Sequence, residues 1–328
     1  MRYTHLGRTG LAVSRLCLGT MTFGFQCDED SSRAILDKAA EGGITFIDTA
    51  DVYPLGDFTI AGRTEEIIGA WMAGRRDRFI LATKCHYPTG PDRWDAGNGR
   101  KNIMRAVEAS LRRLRTDHID LYQLHAWDPH APIDESLRAM DDLVRQGKVR
   151  YLGCSNFLAY QLARSLGRSE VLGTERFDCV QPRYNLLFRE NERELLPLCE
   201  EEGIGVIPYN PIAGGLLSGK HNAAEPTPGT RFTLGDSAGR YQDRYWHERE
   251  FATVDELRPI AADAGMTLAE MAISWVLASK VVTAPIIGAS RPDQLDDALR
   301  AAATDMEPEL KHRLDGLTAE YRRGDAGR

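Results

Sequence analysis

Four residues of this chain could do chemistry together if folding brings them to one place: Asp48, Tyr53, Lys84 and His125. A phenol with an ordinary pKa near 10 is a poor acid at neutral pH. A nearby ammonium favours the phenolate and so lowers that pKa. A carboxylate beside the lysine keeps it charged and oriented. An imidazole can hold a carbonyl oxygen by hydrogen bonding. The set is a proton donor aimed at an oxygen acquiring negative charge, the half-reaction needed when hydride reaches a carbonyl carbon. None of the four supplies the hydride, so a nicotinamide cofactor is implied.

The elements that must position them follow from the apolar pattern. Short runs rich in β-branched residues recur at 16–20, 45–48, 79–84, 119–125, 149–155, 179–182, 205–209 and 285–288. Each is too short for a helix and nearly apolar throughout, as expected of a parallel strand buried on both faces. Helical stretches alternate with them. Asp30 or Ser31 caps one that runs to Glu41, and others cover 63–73, 133–146, 158–166, 191–202, 267–279 and 293–303. Ile103, Val107, Leu111 and Leu114 form one apolar helical stripe. Glycines at 42–43, 147 and 203 separate helices from following strands, where a left-handed helix end prefers a residue without Cβ.

Eight strand–helix units imply a parallel sheet. An open dinucleotide-binding sheet should show G-x-G-x-x-G after its first strand. The sequence there is Leu18-Gly19-Thr20-Met21-Thr22-Phe23-Gly24, which does not match. The expected fold is therefore a (β/α)8 TIM barrel, with residues 1–328 as one domain. Residues 1–15 read as an N-terminal β-hairpin plugging the barrel bottom. The long polar stretch 221–250 follows strand seven on the active face, and 305–322 is a final outer helix. Barrel active sites are built at the C-terminal strand tips. Asp48 ends strand two with Tyr53 just beyond; Lys84 ends strand three and His125 strand four. A strand-end acid taken singly is an ordinary loop cap. Four complementary groups on neighbouring tips form a candidate catalytic set.

Composition excludes several classes. With 41 Lys+Arg against 48 Asp+Glu, the net charge is −7, opposite to the usual lean of nucleic-acid or anionic-membrane binders. No apolar run approaches a membrane span, and the N-terminus leads into no signal-peptide core. The cysteines Cys17, Cys27, Cys85, Cys154, Cys179 and Cys199 form no C-x-x-C pair and match no zinc spacing. They read as reduced thiols of a cytoplasmic protein. A metal-dependent barrel hydrolase needs clustered His and carboxylate ligands. His125 and His130 are the only close His pair near a tip, so no metal is expected.

The chain resembles the aldo-keto reductases over nearly its whole length, and looks closest to their bacterial and plant branch. The matching stretches include Leu6-Gly7-Arg8-Thr9-Gly10-Leu11, Phe46-Ile47-Asp48-Thr49-Ala50-Asp51-Val52-Tyr53 and Leu81-Ala82-Thr83-Lys84. Asp120-Leu121-Tyr122-Gln123-Leu124-His125, Gly153-Cys154-Ser155-Asn156-Phe157, Gln181-Pro182-Arg183-Tyr184-Asn185 and Pro285-Ile286-Ile287-Gly288-Ala289-Ser290-Arg291 follow in order. The resemblance implies a catalytic tetrad of Asp48, Tyr53, Lys84 and His125, with NADPH extended across the barrel top. It places Ser155, Asn156 and Gln181 on the nicotinamide carboxamide and stacks Tyr209 on its ring. Pro211, Ser218, Gly219 and Lys220 line the pyrophosphate, with Arg231 folding over it. Gly288, Ser290, Arg291 and Gln294 follow strand eight; a hydroxyl and a guanidinium beside a helix N-terminus suit a 2′-phosphate, which favours NADPH over NADH. Two positions depart from the family pattern. Ala298, with Asp296 and Asp297 before it, stands where many relatives have an adenine-contacting Asn. Asn210 stands where relatives often have Ser.

Met21, Phe23, Tyr87, Trp94 and Trp127 are the expected substrate walls, with loops 54–62 and 85–99 at the entrance. The partner is then a small-molecule carbonyl compound, with no nucleic acid and no membrane; a homo-oligomer is compatible with the sequence. An NADPH-dependent aldehyde or ketone reductase is the first reading. A cofactor-binding regulatory or scaffold subunit, as some channel-associated relatives are, is the alternative.

Overall fold

The computed structural model describes residues 1–55 and 57–325. Two antiparallel strands, β1 (Tyr3–His5) and β2 (Ala12–Ser14), pair Thr4 with Val13. Eight parallel strands make the main sheet: β3 (Cys17–Gly19), β4 (Phe46–Asp48), β5 (Ile80–Cys85), β6 (Ile119–Leu124), β7 (Val149–Ser155), β8 (Cys179–Gln181), β9 (Gly205–Val206) and β10 (Ile286–Gly288). They run in the order β10-β3-β4-β5-β6-β7-β8-β9. Thr283 N donates to Val206 O and Ile286 N to Pro208 O, each at 2.8 Å, which joins the two edges and closes a (β/α)8 barrel.

Helices α1 (Glu29–Glu41), α2 (Arg63–Trp71), α3 (Arg100–Leu114), α4 (Ile133–Arg145), α5 (Ala159–Leu172) and α6 (Leu195–Glu202) follow β3 to β8 in turn. The α3 stripe is buried along its length. The α1 cap lies earlier than Asp30 or Ser31: Asp28 Oδ1 accepts from Ser31 N at 2.8 Å, so the helix begins at Glu29. Gly43, Gly147 and Gly203 do adopt φ of +81°, +72° and +64° between helix and strand. α5 runs on to Leu172, well past the expected end at 166.

The stretch 221–250 is not the plain loop its polarity suggests. It carries α7 (Ala238–Tyr245) and the start of α8 (Glu248–Asp263), which leads to α9 (Leu268–Leu277). Phe232, Tyr241 and Tyr245 are buried, and Phe232 packs edge-on to Trp246 at 4.7 Å between ring centroids. One turn of polar residues between aromatic anchors conceals a helix whose apolar stripe is only two residues wide. After β10 come α10 (Leu295–Ala301) and α11 (Pro308–Leu317), and a 3-10 turn at Ala319–Arg323 completes the expected 305–322 segment. No single helix among the described residues is long and apolar enough to cross a membrane.

The barrel interior explains where the polar tips point. Leu6 and Val13 of the hairpin region pack with Cys17, Phe46, Ala82, Leu121, Cys179 and Ile207 in one buried cluster, so the hairpin plugs the bottom. Side chains along a strand alternate faces with a period of two. Two residues above Phe46, Ala82, Leu121 and Cys179 stand Asp48, Lys84, Gln123 and Gln181. The inward face therefore changes from apolar plug to polar layer within one step along each strand.

Candidate active site

Lys84 Nζ donates to Asp48 Oδ2 at 2.6 Å and to Thr49 O at 2.7 Å, with the lysine side chain fully sealed from solvent. The second carboxylate oxygen, Oδ1, accepts from Gln181 Nε2 at 2.9 Å and from Gln123 Nε2 at 3.2 Å. Gln123 was not among the residues expected here. It sits in an apolar run, and only the period-two alternation from Leu121 marks it as inward.

Tyr53 lies over this layer, its ring centroid 5.2 Å from Lys84 Nζ and 5.8 Å edge-on from the His125 ring. Tyr53 and His125 line a common cavity of about 380 Å3. The expectation that Lys84 lowers the Tyr53 pKa is not met. Burial pushes the phenol well above its usual range, and the negative charge of Asp48 pushes the same way. The lysine is spent on Asp48 and Thr49, so desolvation dominates. A phenol held protonated is a proton donor, which is the form the proposed step needs. His125 is driven the other way: burial first, then the Lys84 charge, hold the imidazole well below its ordinary value and thus neutral. Its backbone is fixed from both sides, His125 N donating to Cys85 O and Asn156 Nδ2 to His125 O, each at 2.9 Å.

Ser155, Asn156, Gln181, Tyr209 and Gly288 line the same cavity. Tyr209 OH donates to Asn156 Oδ1 at 2.8 Å, which fixes the phenol ring at the tip beyond β9. A second cleft of about 650 Å3 continues from the first, sharing Asn210, Arg231, Ile286 and Gly288 as common wall. Pro211, Ser218, Lys220, Ser290, Arg291 and Gln294 line it. Gly219 does not; it forms the bend at the end of a 3-10 turn, and its carbonyl accepts from Arg258 Nη2. Ser290 N and Oγ donate to Gln294 Oε1 at 2.8 and 3.2 Å. Arg291 is engaged by Asp293 at 3.2 Å, and Asp297 and Ala298 stand in the wall.

These residues fit a dinucleotide. Arg231 Nη1 and Asn210 Nδ2 are buried with no hydrogen-bond partner among the described residues, and both residues stand where the two cavities join. Buried unpaired donors are costly, and acceptor oxygens of a ligand would satisfy them. Burial and the neighbouring Arg291 charge push the Lys220 ammonium down, a convergence of cations that an anion relieves.

Met21 and Tyr87 stand in the cavity wall as expected. Three other expected substrate contacts do not. Phe23 is fully buried in the cluster of Ile35, Ile67 and Leu295, because Phe23 N donates to Thr20 O and turns the side chain away from the cavity. Trp94 is 50% exposed under Lys101, whose Nζ lies 4.0 Å from the ring centroid. Trp127 packs edge-on against Phe157 at 5.3 Å, outside the cavity lining. The wall is completed instead by Val52, Leu55, Arg240, Tyr241 and Arg244. The last three ride on α7, the helix hidden in the polar stretch. Gly56 of the expected 54–62 entrance loop lies outside the described residues. Among those described, no three His, Cys, Asp or Glu side chains are grouped to hold a metal.

A sequence model described as "Aldo/keto reductase family" matches residues 15–318. Curated relatives cover both chains nearly completely. A Bacillus subtilis protein named "Uncharacterized oxidoreductase YrpG" is 40% identical over 97% of this chain and 96% of its own. An Arabidopsis thaliana protein named "Probable voltage-gated potassium channel subunit beta" is 35% identical over 92% and 91%. "Aldo-keto reductase AMT2" of Alternaria alternata is 33% identical over 95% and 90%.

Proposed function

The chain belongs to the aldo/keto reductase family and is an oxidoreductase, and from that premise we propose that it reduces an aldehyde or ketone to the alcohol with NADPH, Tyr53 giving the proton. One observation carries the reading: the Tyr53 hydroxyl and the neutral His125 ring face one cavity above a sealed Lys84–Asp48 pair, and that cavity opens into a cleft lined by cations. When bound, NADPH supplies the hydride. The protein's own groups do the rest. His125 offers an N–H to the carbonyl oxygen and so sets its position. Tyr53 donates its proton to that oxygen as negative charge grows on it. Lys84, clamped by Asp48 and Thr49 O, holds a fixed positive charge beneath the phenol ring. Ser155, Asn156 and Gln181 would hold the carboxamide, Tyr209 the nicotinamide ring, and Ser218, Lys220, Arg231, Ser290, Arg291 and Gln294 the phosphates.

The test is a panel of aldehydes, ketones and sugars followed by NADPH absorbance in both directions, with Tyr53→Phe beside wild type. Tyr53→Phe should keep NADPH affinity by fluorescence titration and lose turnover by about 10²–10⁴-fold. Wild-type-like turnover in that variant removes Tyr53 as the acid. Tight NADPH binding with no turnover on any compound supports the regulatory-subunit alternative that the plant relative's name suggests.

A further inference from the structure

We propose that the carbonyl compound taken by this site is an anion, and that Arg240 and Arg244 on α7 hold its carboxylate or phosphate group. The inference rests on the carbonyl-reductase reading above. Residues four apart on a helix share a face. Arg240 and Arg244 present such a face, with Tyr241, to the cavity that holds Tyr53 and His125. They do not line the second cleft, whereas Arg231 lines both. The cations are thus sorted: Lys220 and Arg291 face only the cleft, Arg240 and Arg244 only the cavity of the reacting groups.

Little counter-charge faces Arg240 within this cavity. Asp48 is the one carboxylate in its described lining, and Lys84 already engages it at 2.6 Å. Arg240 is exposed and forms no ion pair among the described residues. Its charge reaches the reacting centre: after burial, Lys84 and His86, it helps hold the His125 pKa down, while the Arg244 charge opposes the upward push of burial on Tyr209. The chain as a whole carries −7, so this positive wall is local and not a by-product of a basic protein. Guanidinium groups present planar forked donors that match carboxylate and phosphate. Met21, Val52 and Leu55 leave an apolar surface for the carbon skeleton between that anion and the carbonyl.

The experiment compares three aldehydes of one skeleton with NADPH: para-formylbenzoate, para-formylphenyl phosphate and the neutral methyl para-formylbenzoate. Wild type should favour one anion over the ester by about tenfold or more in kcat/KM, chiefly through KM; which anion wins tells carboxylate from phosphate. Arg240→Gln and Arg244→Gln should each shrink that ratio about fivefold or more, as should raising NaCl from roughly 0.05 to 0.5 M. Equal use of ester and anions, or a ratio untouched by both variants, overturns the proposal. So does an Arg240→Gln variant that loses NADPH affinity about tenfold while the ratio stands, because the arginine then serves the cofactor's phosphates. Should a variant fail to fold, the wild-type ratio and its salt dependence decide. If no aldehyde is reduced, the reductase reading fails, and calorimetric titration of the NADP+-loaded protein separates the two claims. Anion binding that the substitutions abolish upholds the anion site, and equal binding of ester and anions overturns it.

Discussion

The Lys84 ammonium stands 2.6 Å from Asp48 Oδ2, and neither side chain is more than 4% exposed. A pair this buried gains from its short contact but loses the solvation of both charges. Removing one partner strands the other. Lys84→Met should therefore cost about 3–5 kcal/mol in urea-induced unfolding, and the double change with Asp48→Asn should recover part of it. Single and double variants of equal stability would show that the pair is not energetically coupled. Turnover should fall in Lys84→Met and in the double variant, because the charge under Tyr53 is gone.

Much of this arrangement is legible in the sequence, for a physical reason. The strands of a closed parallel barrel are buried on both faces, so each reads as an apolar run, and polar residues ending such runs stand out. Asp48, Lys84 and His125 are visible that way. Gln123 is hidden because it lies within its run, one step above Leu121. The aromatic loop residues misled for another reason. Residue type says that Phe23, Trp94 and Trp127 want apolar cover, but the local turn decides which cover they get. Arg240 and Arg244 were invisible because α7 shows only Tyr241 and Tyr245 as an apolar stripe.

The placement of Phe23 separates packing from binding. Phe23→Ala should destabilise by about 3–5 kcal/mol in chemical unfolding and leave KM for a neutral aldehyde within about twofold of wild type. Met21→Ala, in the cavity wall, should do the reverse and raise KM with little change in stability. A large KM effect at Phe23 in a fully folded variant would place its ring at the substrate.

The hairpin plug makes a second packing prediction. Leu6 is fully buried against the barrel interior, and its Cδ1 methyl and Cγ pack where a Cβ on Gly205 would lie. Leu6→Ala leaves a hole beneath the strands and should cost about 2–5 kcal/mol. The polar layer lies at the other end of the interior, so kcat should stay within about twofold. A kcat loss without a stability loss would mean that the plug positions the catalytic layer directly.

The Tyr53 shift has a signed pH consequence. A phenol whose folded pKa is raised keeps its proton where the unfolded chain begins to lose it. The stability it contributes is full below the ordinary tyrosine value of 10 and is lost as pH rises through the folded value. Reduction should accordingly show no loss from phenol ionisation between pH 7 and 10. A kcat/KM profile under saturating NADPH that falls with a midpoint near 8 would mean that the working phenol is ionised far more easily than its burial implies.

His221 should act on the acid side. Burial and the Lys220 charge lower it from 6.5 to about 4, and its ring is wedged edge-on between Phe232 at 5.0 Å and Trp246 at 5.6 Å. Its Nε2 is buried with no hydrogen-bond partner among the described residues, and Nδ1 meets Thr227 Oγ1 at 3.3 Å. The neutral ring therefore pins the start of the stretch beside the second cleft to the aromatic cluster behind it. A base whose folded pKa is depressed gives stability that is present above the unfolded value and lost as pH falls through the folded one. Between pH 6.5 and 4 the unfolded chain binds a proton that the folded chain refuses, so folding weakens steadily on acidification. His125, also depressed, adds to the same slope. His221→Gln should flatten the decline in urea midpoint across that window, and amide exchange at 222–232 should quicken in wild type, but not in the variant, as pH drops toward 4. Identical acid slopes in both proteins would assign the whole effect to His125 and the carboxylates.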